Sequence, residues 1–277
     1  MDIGVLIGLH KDSDILGEFR KVRDLDLQSV QVCVWDTALH TDDIAKALRA
    51  AAEETGVKIS GLWAGWSGPA VWNFYDGPLT LGLVPEAYRF TRLKELCSAS
   101  DFAEKIGVTD VITHAGFLPE NPNDHDYHGV IAALRYLAWY MKAKGQWFLF
   151  ETGQETPTTL VRAIEDIGTG NLGINFDTAN LILYGKSNSV DAAGIFGQYV
   201  RNLHCKDGVF PTNGKDLGTE VPLGQGKADI ERVLNILWSK GYTGPLTIER
   251  EISGEEQTKD IVAARELLKN ITQRAGK

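Results

Sequence analysis

Short runs rich in β-branched and aromatic residues alternate with longer stretches of helical period along the whole 277-residue chain, and the alternation occurs eight times. Strand-like runs fall at 3–8, 30–34, 58–63, 110–114, 147–151, 172–177, 200–204 and 245–249. Helical patterns fall at 13–25, 41–54, 87–106, 128–144, 157–167, 190–196, 230–240 and 255–271. Strand–helix units repeated in this way call for a parallel sheet covered by helices. Eight of them predict an α/β fold, a single-domain (β/α)8 TIM barrel over residues 1–277, with no linker or composition shift to mark a second domain. Helix caps agree: Ser13, Thr41 and Thr156 stand at starts, and Gly56, Gly107, Gly145 and Gly241 close helices before strands. The three long insertions, 64–86, 115–127 and 206–227, all follow strands, where such a barrel builds its functional face.

Charge removes several classes of partner. Twenty-eight Lys and Arg against 37 Asp and Glu leave a formal charge of −9, which repels nucleic acid and anionic membrane surfaces. The N-terminal MDIGVLIGLHKDSD has no basic leader and too short an apolar run for a signal peptide or membrane helix, so a cytoplasmic protein is expected. Cys33, Cys97 and Cys205 are scattered without a CxxC, so neither disulfides nor a thiolate zinc site is expected. GQG at 224–226 lacks the pattern of a phosphate cradle, and no GxSxG or Cys–His signature is present.

A strand buried on both faces is nearly all apolar, so ionisable residues in it need a reason. Glu151 ends WFLFE, Asp177 ends LGINFD, His204 ends VRNLH and Glu249 ends PLTIE. These residues close strands five to eight, which puts all four on one rim. Alternation turns them inward together with Leu149, Asn175, Asn202 and Thr247. Any one of them alone is as readily a rim residue with a salt-bridge partner. Three carboxylates and an imidazole together repel unless a cation sits among them, and this oxygen-rich set suits a divalent metal ion, Mn²⁺ foremost, with Mg²⁺, Co²⁺ and Zn²⁺ as alternatives.

Other residues follow the same strand ends. His114, in VITHAG, is expected to line the same cavity beside Glu151, and His10 to reach toward it. Trp63 and Trp66, in GLWAGWSGPAVW, either wall a sugar-binding pocket or bury themselves in their own loop. Lys206 and Asp207 either touch substrate or brace a loop. Cys205 points away from the rim that His204 faces, and His40, His125 and His128 read as surface residues.

VITHAG, FET at 150–152, NFDTAN at 175–180, NLHCKD at 202–207, GQGKAD at 224–229 and GYTGPLTIERE at 241–251 together resemble the xylose isomerase-like TIM-barrel superfamily. The likeness is to its sugar phosphate isomerase/epimerase group, which includes ketose 3-epimerases, hydroxypyruvate isomerase and inosose dehydratase. That resemblance implies that Glu151, Asp177, His204 and Glu249 are the metal ligands, with Glu251 a competitor for the last role. It also implies that Glu151 and Glu249 form the acid–base pair of a sugar isomerase or epimerase. Such an enzyme removes the proton α to the carbonyl of a small keto-sugar and returns it through an enediolate. Elimination by a keto-sugar or keto-inositol lyase or dehydratase starts from the same step, and a non-catalytic sugar-binding barrel is the third reading. The family's substrate-binding histidine after the metal aspartate is Asn180 here, its second substrate-contacting glutamate has only Glu155 as a stand-in, and Lys206 is the nearest basic residue after strand seven. The group often forms dimers or tetramers, so a homo-oligomer fits the resemblance, although no residue pattern derives an interface.

Overall fold

A computed structural model describes residues 1–277. The strands are β1 (Ile3–Leu9), β2 (Ser29–Val34), β3 (Lys58–Ala64), β4 (Asp110–Thr113), β5 (Trp147–Glu151), β6 (Leu172–Asp177), β7 (Val200–Cys205), β8 (Asp207–Val209), β9 (Thr219–Val221) and β10 (Leu246–Ile248). Eight of them close a parallel barrel in the order β1-β10-β7-β6-β5-β4-β3-β2, and β8 and β9 form a separate antiparallel hairpin. The helices are α1 (Ile15–Asp24), α2 (Asp42–Thr55), α3 (Gly77–Thr80), α4 (Glu86–Ile106), α5 (His125–Lys142), α6 (Pro157–Ile167), α7 (Asn180–Leu183), α8 (Ser189–Phe196), α9 (Ile230–Ser239) and α10 (Glu255–Arg274). This is the single-domain TIM barrel that the eightfold alternation predicts.

Local chemistry fixes the helix ends. The Thr41 and Thr156 side chains accept hydrogen bonds from the N–H groups of Ile44 and Thr159, and Pro157 occupies the first turn of α6. Gly56 and Gly107 end α2 and α4 in the left-handed conformation, at φ 73° and 80°. At α1 the cap is Asp14, not Ser13, whose hydroxyl instead accepts from the His10 N–H. Helix α5 starts at His125, three residues before the helical pattern suggests, because Asp124 caps it.

Period-two alternation divides the barrel into two layers. Leu62, Val111, Phe148, Phe150, Ile174, Phe176, Leu203, Cys205, Leu246 and Ile248 face outward into a core of 63 buried residues shared with the helices, so most apolar burial lies outside the barrel. Inside, Trp63, Ile112 and Leu149 belong to a separate cluster of five, against which Leu6, Cys33 and Trp35 pack. The opposite side of the interior is polar, with Gln31, Asn175, His204 and Thr247 fully buried. Stability and interior chemistry therefore draw on different sets of residues.

Candidate metal centre

Strands β5 and β6 each end on one donor, His204 is the penultimate residue of β7, and Glu249 follows the last residue of β10. Register brings them level: Glu151 pairs with Asn175, Asp177 with His204, and His204 with Thr247. One ligand atom from each of Glu151, Asp177, His204 and Glu249 lies within 4.8 Å of every other. His204 Nδ1 is 3.1 Å from Glu151 Oε1, 3.0 Å from Glu249 Oε2 and 3.8 Å from Asp177 Oδ2, without hydrogen-bond geometry to any of them. Asp177 is held by one oxygen only: Oδ1 accepts from the Ala179 and Asn180 N–H groups at 2.7 Å, and Oδ2 is buried without a hydrogen bond.

Burial and mutual repulsion set the charges. Burial pushes the Glu151 carboxyl up to about 7; His204 draws it down, and Asp177 and Glu249 raise it again. Burial acts on Glu249 in the same direction, but Lys206 and His204 outweigh it and hold that carboxyl well below the usual range. Burial alone would strip the proton from His204, yet Glu151 and Glu249 reverse this and keep its pKa well above the ordinary imidazole value. A proton on His204 thus supplies part of the positive charge that three clustered carboxylates require. An unpartnered carboxylate oxygen, an unaligned ring nitrogen and a hard, oxygen-rich donor set fit a divalent cation at the same place.

Above the donors lies a cavity of about 570 Å³, lined by Leu6, Cys33, Trp35, Trp63, Trp72 and His114 on one side. Gln154, Asn180, Tyr184, Glu249, Arg250 and Glu251 are on the other. Of the four donors only Glu151 and Glu249 reach its surface. Trp63 stacks on Trp35 at 5.5 Å and meets His114 edge-on at 5.7 Å. Burial lowers the His114 pKa to about 3, so its ring is neutral, and its Nδ1 has no hydrogen-bond partner.

The structure corrects some sequence expectations and decides others that were left open. Trp66 does not line the cavity; it packs behind Trp35 at 5.0 Å, with the Arg92 guanidinium 5.2 Å from its ring. Glu155 is buried off the cavity, and its neighbour Gln154, also buried, lines the cavity instead. Lys206 is not free for substrate, since its ammonium is buried against Glu251 at 3.0 Å, Glu249 at 3.3 Å and Asp177 at 3.5 Å. Asn180 lines the cavity and takes a 3.4 Å hydrogen bond from Lys206. Glu249, not Glu251, joins the donor cluster. His10 is exposed and off the cavity, while His40 is no surface residue, because its ring nitrogens are buried and it stacks on Phe102 at 5.1 Å. Asp207 braces a loop: its carboxylate accepts the N–H groups of Gly208 at 2.8 Å and of Gly224, Gly226 and Ala228 at 2.9 Å. Gly226 is needed there, since a Cβ would run into that carboxylate. Trp35, Trp72, Gln154 and Tyr184 escape the sequence reading; Trp35, directly after β2, is the one that the strand-end rule reaches.

The closed barrel and its crowded rim define a TIM barrel whose polar residues gather at the C-terminal ends of the strands. The chain belongs to the xylose isomerase-like TIM barrel family, whose model matches residues 19–271. A xylose isomerase domain protein from Planctomyces limnophilus is 36% identical, with a TM-score of 0.91 over 99% of this chain and 98% of that one. A xylose isomerase-like TIM barrel protein from Mycobacterium smegmatis in complex with magnesium is 18% identical, with a TM-score of 0.73 over 99% of this chain and 97% of that one. D-psicose 3-epimerase from Clostridium cellulolyticum H10, in a structure with D-tagatose, is 15% identical, with a TM-score of 0.72 over 98% of this chain and 99% of that one. At those identities the last two share the fold. No curated protein matches the sequence.

Proposed function

We propose that the protein is a divalent-metal-dependent isomerase or epimerase of an unphosphorylated keto-sugar, with Glu151 and Glu249 as its acid–base pair. The observation that carries this reading is that, of the four clustered donors, only these two glutamates also line the cavity. A group in that position can touch both an ion and a substrate. The two also come from separated walls, β10 and β5 being three strands apart around the ring of eight. One glutamate removes the proton α to the carbonyl and the other returns one from across the cavity. Glu151, Asp177, His204 and Glu249 would hold the ion, Mn²⁺ or the Mg²⁺ named with the Mycobacterium smegmatis structure, and the bound ion would supply charge stabilisation at the substrate oxygens.

Substrate class follows from what the cavity offers. Its cations are engaged: Lys206 by three carboxylates, and Arg250 by Glu220 at 3.1 Å and Asp260 at 2.7 Å, which disfavours a phosphate. Neutral groups without partners, the Gln154 amide, the Tyr184 hydroxyl and His114 Nδ1, suit sugar hydroxyls, and Trp63 and Trp35 offer a flat apolar wall. The D-psicose 3-epimerase likeness agrees with a ketose.

The test is proton NMR of ketoses and keto-glycosides incubated in D₂O with the Mn²⁺-loaded protein, the metal being removed before recording. Deuterium next to the carbonyl is expected, and Glu249→Gln should lower its incorporation by about 10²- to 10⁴-fold. Exchange that survives in Glu249→Gln would remove that residue from the acid–base pair. Loss of water or an aglycone would instead identify a lyase, and no exchange with any keto-sugar would overturn the reading.

A further inference from the structure

Beneath the donors, the polar side of the barrel interior contains an arrangement that the acid–base reading does not use. Gln31 on β2 and Asn175 on β6 are both fully buried, yet their strands are not neighbours. Gln31 Nε2 donates to Asn175 Oδ1 at 3.0 Å, across the interior. Asn175 Nδ2 in turn donates to Glu151 Oε2, and Gln31 Oε1 meets His204 Nε2 at 2.7 Å. Glu151, Asn175, Gln31 and His204 therefore form one chain whose two ends are both members of the donor cluster.

The chemistry of one end sets the direction of the whole chain. As a ligand of a cation Glu151 is ionised and can only accept, so Asn175 must turn its NH₂ toward Glu151 and its oxygen toward Gln31. That oxygen requires the NH₂ of Gln31, which leaves the Gln31 oxygen facing His204. Only a ring N–H satisfies it, so the hydrogen of a neutral His204 sits on Nε2 and the lone pair on Nδ1. Nδ1 is the nitrogen that lies among Glu151, Asp177 and Glu249. Reversing either amide would set oxygen against oxygen and nitrogen against nitrogen in a fully buried site, so the two amides hold their sense together.

We propose that Gln31 and Asn175 are positioning residues for the metal centre: they fix His204 as the Nε2–H tautomer and tether Glu151 by Oε2, so that Nδ1 and Oε1 are both presented to the ion. This rests on the reading that Glu151, Asp177, His204 and Glu249 hold a divalent cation. Partners of this kind are worth about 10- to 100-fold in metal affinity. Gln31→Met keeps the length and apolar packing of the side chain and removes both hydrogen bonds.

The test titrates Mn²⁺ alone into the metal-free full-length protein by calorimetry, for wild type, Gln31→Met and Asp177→Asn. It also records the ¹⁵N shifts of the histidine rings in the Mg²⁺-loaded wild type, with His204 assigned by difference against His204→Gln. The expected results are Mn²⁺ binding about 10- to 100-fold weaker in Gln31→Met, with the metal-free variant still folded and melting cooperatively, and a protonated Nε2 on His204 in the wild type. Unchanged affinity in Gln31→Met, or a proton on Nδ1 of the loaded wild type, overturns the positioning role. The second readout needs no variant to fold beyond the one used for assignment. Wild type that takes up no ion, or binding that survives Asp177→Asn, overturns the metal centre itself and with it this proposal.

Discussion

Glu155 shows how a single buried carboxyl makes stability depend on pH. Its side chain is 3% exposed with Oε1 unpartnered, and burial pushes its pKa up to about 8, against its own N–H and that of Gly153. The ordinary value is 4.5, so between there and about 8 the folded chain keeps a proton that the unfolded chain has lost. Stability from this group is complete at low pH and falls as pH rises through that window. Urea titrations of wild type should show the loss, and Glu155→Gln should remove it, gaining at least about 1.4 kcal/mol at pH 8, the worth of one pKa unit. Parallel pH profiles for the two proteins would refute the assignment. The same stretch shows where sequence reading stops. Glu151 is legible because a strand end has a direction and a period, whereas residues 152–156 form a turn with neither. Nothing local says that Gln154 faces the cavity and Glu155 does not.

Elements tied by long-range contacts behave in the same way. The insertion after β3 carries Trp72 to the cavity, and α4 holds it with Glu95, Arg89 and above all Arg92. Arg92, fully buried, donates to the carbonyls of Ser67 at 3.2 Å, Pro69 at 2.8 Å, and Thr80 and Gly82 at 2.7 Å. No carboxylate is hydrogen-bonded to it, and burial lowers its pKa to about 10. Arg92→Met would leave four carbonyls without their donor, at a cost of about 1–3 kcal/mol for each that stays dry. Amide hydrogen exchange should quicken across residues 65–84 while the barrel strands keep their protection. Uniform protection in the variant would show that the insertion holds itself together. Strands, glycine stops and the Thr41 and Thr156 caps are readable because each follows from neighbours in sequence. Arg92 and the Asp207 loop brace join segments with no shared period, and the β8–β9 hairpin lies within a Gly-, Pro- and Asp-rich stretch that reads as loop.

At the scale of the whole molecule, the donor cluster links Glu151 to Glu249, so about 100 residues of chain close on one point. An ion that binds only the folded state stabilises it by about 2.7 kcal/mol when its concentration is 100 times its dissociation constant. Thermal denaturation with and without Mn²⁺ should therefore show a rise in melting temperature that EDTA reverses and Asp177→Asn lacks. An equal rise in that variant would mean that the ion binds elsewhere.

The interior has an apolar, tryptophan-bearing side supplied mainly by β1, β2 and β3 and their loops, and a polar side supplied mainly by β6, β7 and β10, to which Gln31 of β2 also belongs. In evolutionary terms this separates two kinds of change along the gene. Its first part, Gln31 apart, can drift, swapping indoles for other walls and altering what fits, while the later part keeps the clustered carboxylates in register. A lineage built on this plan can change what the cavity admits by editing a surface that contributes no donor to the cluster, and each intermediate form retains the four clustered donors.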